Sequence, residues 1–244
     1  KIRYYIESKI ERKIVCDAYA INLITDYNKR EYCRLYGADS KKIKTFNIGF
    51  DEERIIQNRT NSKRPLPRLI YGGSLNPVHR DVVPFINAMQ KAPVVVLDVY
   101  NEDFPEIKKM VSDLNLTQNV MIHNLVSADQ FNKELYCSDV LLLFGNKTVF
   151  QVPGKLFEYI STGTHILYIK NNDRTDDATE KILREYGNTT IVQNEEECIR
   201  KALIDISERN QEGTLFGNAN IEKYEFHNTM RPIITQINAF FMHV

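Results

Sequence analysis

The sequence predicts an α/β protein with a doubly wound parallel sheet of about six strands, preceded by the tail end of a second α/β unit. Three observations carry this. After residue 65, short β-rich apolar runs alternate with segments of helical period. Two of those runs, "VVVL" and "VLLLF", are continuously apolar, as strands buried on both faces of a parallel sheet are. The chain has 244 residues, 43% of them hydrophobic and 26% charged, enough for one large core plus a fragment.

Taken in order, Ile2, Ile6, Ile10 and Ile14 form an i, i+4 stripe on an opening helix. Its polar side is basic (Lys1, Arg3, Lys9, Arg12, Lys13). Packing against its own domain is the usual fate of such a stripe, with a membrane-surface helix as the alternative. A strand over "AINLIT", a helix over "NKREYCRLYG" and a short run "IKTFNIGFD" follow, then the polar, basic connector "EERIIQNRTNSKRPLPR". Six strands are expected at Arg68–Gly73, Pro93–Tyr100, Asn119–Asn124, Asp139–Gly145, His165–Lys170 and Thr189–Gln193. Helices are expected near 80–91, 104–115, 127–137, 154–162, 176–186 and 194–209. The terminal "NIEKYEFHNTMRPIITQINAFF" has helical spacing with Pro232 in mid-pattern, a kinked helix crossing back to the amino-terminal piece. The expected divisions are 1–52 (end of a first domain), 53–67 (linker), 68–216 (the sheet domain) and 217–244 (the returning helix).

Charge and cysteines narrow the function. Lys and Arg number 32, as do Asp and Glu, so no global field draws the chain to nucleic acid, and any phosphate site must be local. Cys16, Cys33, Cys137 and Cys198 are scattered, with no CxxC pair or Cys/His cluster, which argues against zinc or a disulfide framework and fits the reduced cytoplasm. The longest apolar runs fall far short of the roughly 20 residues that span a bilayer. The chain opens without an initiator Met or a leader-like segment, as a piece of a longer protein would.

Ligands of open α/β sheets lie beyond the carboxyl ends of the strands. In "YGGSLNPVHRD", Gly72 and Gly73 allow close backbone approach, the next helix N-terminus can face an anion, and Arg80 adds positive charge; a tight turn with a surface arginine is the plainer alternative. The loop lacks GxGxxG, so nothing supports a dinucleotide. In "GNKTVFQVPGK", Lys147 and Lys155 bracket an uncharged stretch, and "PG" forces a turn before a helix. In "GKLFEYISTG", Leu156, Phe157 and Ile160 should face the sheet and Gly163 should end the helix. Glu158 would then be a carboxylate in a buried helix, which requires a partner. A vicinal diol would supply two hydrogen bonds; stabilisation by the helix dipole is the other explanation. His165, entering a strand, reads as a satisfied core residue, and "NNDRTDD" as a loop.

Four segments, "AINLITDYNKREYCRLYGADSKKIKTFNIGFDEE", "YGGSLNPVHRD", "SADQFNKELYCSDVLLLF" and "VPGKLFEYISTGTHIL", resemble the retaining GT-B glycosyltransferases that build bacterial capsule, exopolysaccharide and lipopolysaccharide. The last is similar to a "PGKxFEYLAxGxPIL" pattern. The resemblance implies a GT-B, Rossmann-like donor domain that moves a hexose-like sugar from a nucleoside diphosphate to a glycan or lipid-linked acceptor. It implies no bound metal and no cofactor. It places the diphosphate at Gly72, Gly73, Ser74, Arg80 and Lys155, the ribose at Glu158, and the base at the backbone of Val126 and Ser127. Gln151, Val152, Pro153 and Gly154 become the donor loop. Phe150 stands where many such enzymes carry a second glutamate that contacts the sugar. The acceptor side, with any catalytic residue and any peripheral contact with the inner face of the membrane, would belong to a preceding domain, leaving this chain inactive alone. Two other readings stand beside it: a non-catalytic nucleotide- or sugar-binding module, and an enzyme like the nucleotide-sugar epimerases.

Overall fold

The computed structural model describes residues 2–54, 64–73, 80–100, 105–147 and 151–242. An amino-terminal piece comes first: α1 (Ile2–Asp17), β1 (Ile21–Leu23), α2 (Asp26–Tyr36) and β2 (Ile43–Thr45). Thr25 starts α2 by accepting a hydrogen bond from the Asn28 amide, and Gly37 ends it in the left-handed conformation. β1 and β2 pair in parallel, with Ile21 opposite Ile43.

The large domain alternates β3 (Arg68–Gly72), α3 (Val83–Lys91), β4 (Val96–Tyr100), α4 (Pro105–Asp113), β5 (Val120–His123), α5 (Ala128–Tyr136), β6 (Val140–Phe144), α6 (Lys155–Ser161), β7 (His165–Lys170), α7 (Ala178–Tyr186), β8 (Thr189–Gln193) and α8 (Glu196–Glu212). All six expected strands form, in the order β5-β4-β3-β6-β7-β8, and every pairing is parallel. One core joins α3, α4 and α8 to Leu69, Leu97, Val99, Leu142 and Leu167; the other joins α5, α6 and α7 to Ile70, Leu141, Leu143, Ile166 and Tyr168. Adjacent residues of one strand thus feed opposite cores, which is why these strands read as unbroken apolar runs.

The strand order reverses between β3 and β6. Those strands pair only at Leu69 with Val140 and Ile70 with Leu141, then part, leaving a crevice at their carboxyl ends. His165 is buried at the start of β7, bonded to Asn188 and Thr190, and burial pushes its pKa down to about 4, so it is a neutral packing residue.

After α8 the chain returns through Tyr224 into α9 (Phe226–Phe241), which continues through Pro232. Phe50 donates to the Tyr224 carbonyl and accepts from the Phe226 amide, Thr229 donates to the Ile48 carbonyl, and Phe240 meets Tyr19 edge to face at 4.6 Å. The apolar stripe of α1 stays uncovered by the rest of the described residues. Ile6, Ile10 and Ile14 of α1 are exposed, because the helix turns Val15 inward and ties Glu11 to the hydroxyls of Tyr32 and Tyr36 instead.

Candidate functional site

At the crevice, the backbone around the two glycines is already spoken for. Past Ile70 no described residue pairs with β3 on its β6 side, and the Gly72 amide donates instead to the Tyr159 hydroxyl at 3.4 Å. The Gly73 amide donates to the Tyr100 carbonyl at 3.2 Å, and the Gly72 carbonyl accepts from the Lys155 ammonium. Neither amide is therefore open to a diphosphate, which revises the expected role of these glycines as donors. Their lack of side chains has other causes. A Cβ on Gly72 would overlap the Phe131 ring. Gly73 has φ +144°, and a Cβ there would lie 2.5 Å from the Lys155 Nζ. Gly72→Ala should destabilise the protein by about 1–3 kcal/mol, the usual cost of overpacking. An unchanged denaturant midpoint would show that Phe131 moves aside freely.

Lys155 and Arg80 supply the charge. Arg80 donates to the Tyr71 hydroxyl at 2.8 Å, so it is aimed at the end of β3. Burial, and then the neighbouring Arg80, push the Lys155 pKa down to about 8, with Glu158 pulling the other way. Two cations thus lie side by side at the end of β3, an arrangement of charge that suits an anion.

Glu158 corrects the sequence reading. It is exposed, because α6 buries Leu156, Phe157, Tyr159 and Ile160 and turns Glu158 outward, three residues after the half-buried Lys155. Its carboxylate makes no hydrogen bond or ion pair among the described residues. Burial therefore does not explain this carboxylate; its free oxygens beside Lys155 are what remain to be used.

Of the other expected site residues, Ser74 and Phe150 lie outside the described residues. Val126 packs partly against the core, and Ser127 caps α5 with its hydroxyl oxygen accepting from the Gln130 amide. Both follow β5 at the sheet's edge, away from the glycines. Gln151 accepts from Asn146 at 3.4 Å, Val152 joins the core, and the Pro153 and Gly154 carbonyls accept the first turn's amides of α6. Among the described residues, nothing beyond its immediate chain neighbours lies within 4 Å of where a Gly154 Cβ would sit. Lys147 is exposed.

Sequence reasoning missed the layer beneath. Asp98, buried in β4, is bound by Arg68 and by His123 at 2.6 Å; Arg68 also reaches Glu134 of α5 at 2.8 Å. Tyr100 stacks on His123 and meets Phe131 edge to face. The signal was present: a lone acid in "VVVLDVY" requires partners. Among the described residues no group of three His, Cys, Asp or Glu is placed to hold a metal ion.

No family model and no curated protein matches the chain by sequence. Solved structures do match in fold. Sucrose-phosphate synthase from Thermosynechococcus elongatus matches with TM-score 0.74 at 11% identity, over 98% of this chain and 63% of its own. HepE of Anabaena, solved with UDP and glucose, matches with TM-score 0.74 at 11% identity, over 95% and 66%. The lipopolysaccharide outer core galactosyltransferase WaaB matches with TM-score 0.58 at 14% identity, over 93% and 63%. The chain thus spans about two thirds of the length of these structures, and it has the fold of the GT-B glycosyltransferases.

Proposed function

We propose that this chain carries the donor-binding lobe of a glycosyltransferase, which moves a sugar from a nucleoside diphosphate to a glycan or lipid-linked acceptor in bacterial surface polysaccharide synthesis. The observation that carries the reading is the juxtaposition of Arg80, Lys155 and Glu158 at the crevice where β3 and β6 part. When the sugar leaves, negative charge grows on the nucleoside diphosphate, and two fixed cations stabilise that charge without a metal ion. The carboxylate of Glu158 accepts from the ribose hydroxyls, and the backbone at Val126 and Ser127 meets the base. HepE, with the same fold, was solved with UDP, which supports a nucleoside diphosphate as the donor's carrier.

The acceptor site is assigned to a larger lobe of which residues 1–52 form the end, with the linker at 53–67 and the sheet domain at 68–216. Two features support this: a two-stranded parallel sheet does not stand alone, and the stripe of α1 is bare. On this reading the chain binds donor but does not transfer sugar alone. The reading takes the enzyme to work in the cytoplasm, at most touching the inner membrane face. Separately, among the described residues no helix is long and apolar enough to cross a membrane.

Calorimetry with UDP, GDP and ADP, with and without a chelator, tests the reading: one of them should bind with chelator present. Glu158→Ala should weaken that binding by about 1.5–3 kcal/mol, the worth of hydrogen bonds to a charged group, with little effect on folding. A 2′-deoxy ligand is the control. Wild type should discriminate against it and the variant should not; equal behaviour would reduce Glu158 to a residue that only favours its helix dipole.

A further inference from the structure

The two peptide units flanking Gly72 are fixed by three contacts, two of them from one helix. Tyr159 and Lys155 are four residues apart on α6 and so lie on neighbouring turns of the same side. The Tyr159 hydroxyl takes the Gly72 amide, the Lys155 ammonium gives to the Gly72 carbonyl, and the Tyr100 carbonyl takes the Gly73 amide. Consecutive glycines are the most costly residues to order, and here the strand ladder on the β6 side has ended. We propose that Tyr159 is a positioning residue for the diphosphate site: it replaces the lost ladder partner of Gly72, and the glycine pair so held keeps Lys155 beside Arg80 before ligand arrives. This rests on the assignment of Lys155 to the diphosphate.

The chemistry supports that role over direct contact. Tyr159 has no exposed surface, and burial drives its phenol pKa well up, so it is a neutral hydroxyl at any working pH. It cannot touch a ligand from there, yet its oxygen sits under the loop that Lys155 must share with a diphosphate. Among the described residues, the charged and titratable groups facing Lys155 are Arg80 from the chain before α3 and Glu158 from α6, with the Tyr71 hydroxyl of β3 also near Gly73. When a diphosphate enters, the ammonium exchanges the Gly72 carbonyl for phosphate oxygens while Tyr159 keeps the loop in place. Pre-ordering of this kind spares the ligand the cost of arranging the loop.

Tyr159→Phe keeps the ring and removes only the acceptor. Binding of whichever of UDP, GDP and ADP the wild type holds tightest is compared with binding of its monophosphate, in both proteins. Expected is a loss of about tenfold for the diphosphate, the net worth of a typical hydrogen bond, and little for the monophosphate. An unchanged diphosphate-to-monophosphate ratio would overturn the proposal while leaving the nucleotide reading intact. If the wild type binds none of the nucleotides, that reading falls and the proposal falls with it. Should Tyr159→Phe not fold, amide exchange at Gly72 in the wild type decides: slow exchange that stays slow with ligand bound is required, and fast exchange refutes the clamp.

Discussion

Deleting residues 217–244 should destabilise the protein by at least about 3–5 kcal/mol, the cost of removing one large buried aromatic. That aromatic is Tyr224, which is fully buried, packs against Phe157 and donates to the Ile182 carbonyl at 3.2 Å. The deletion also strips both backbone partners from Phe50, leaving its amide and carbonyl without the Tyr224 and Phe226 bonds. It uncovers the buried Phe157 as well, so an apolar dye should bind the truncated chain. Tyr224→Ala separates the two contributions, since it empties the core site and leaves α9 in place. If the full deletion leaves the thermal midpoint where it was, the returning segment is not part of the folded unit.

The parts of this fold that were legible in the sequence are those fixed by local pattern. The strand "VLLLF" is buried at every position, so its residues leave no choice of face and its run is unbroken. Gly163 ends α6 with φ +66°, as its place after a short apolar helix implied. What was not legible depends on contacts between distant segments. Gly72 was read as making room for a ligand, but the ring that needs the room belongs to Phe131, on another helix. The apolar neighbours of Glu158 imply that it is buried, yet a helix of 7 residues has an outer edge, and Glu158 falls on it. The stripe of α1 illustrates the reverse case. Its periodicity was readable, but periodicity says only that a face is apolar, and what covers that face is a matter of tertiary contact.

Lys155→Met should weaken nucleoside diphosphate binding by about 2–3 kcal/mol, since it deletes a charged donor to phosphate while keeping the length of the side chain. The pH dependence identifies the cause. In the free protein the Lys155 pKa lies at about 8 instead of the usual 10.5, because burial and Arg80 disfavour the ammonium. Below pH 8 the ammonium is present and binding is at full strength; as pH rises through 8 the free protein loses the charge and affinity falls. A bound diphosphate restores the preference for the ammonium, so binding between about pH 8 and 10 should take up a proton, visible as an enthalpy that varies with buffer ionisation. Stability moves the opposite way. Over pH 8 to 10.5 the unfolded chain holds the Lys155 proton and the folded one does not, so this residue makes the fold more stable as pH rises and less stable at neutral pH. Lys155→Met should therefore bind weakly, lose the alkaline limb of binding and the proton uptake, and unfold no more easily than wild type at pH 7. A variant that keeps the same proton uptake would assign that titration to another group and remove Lys155 from the diphosphate site.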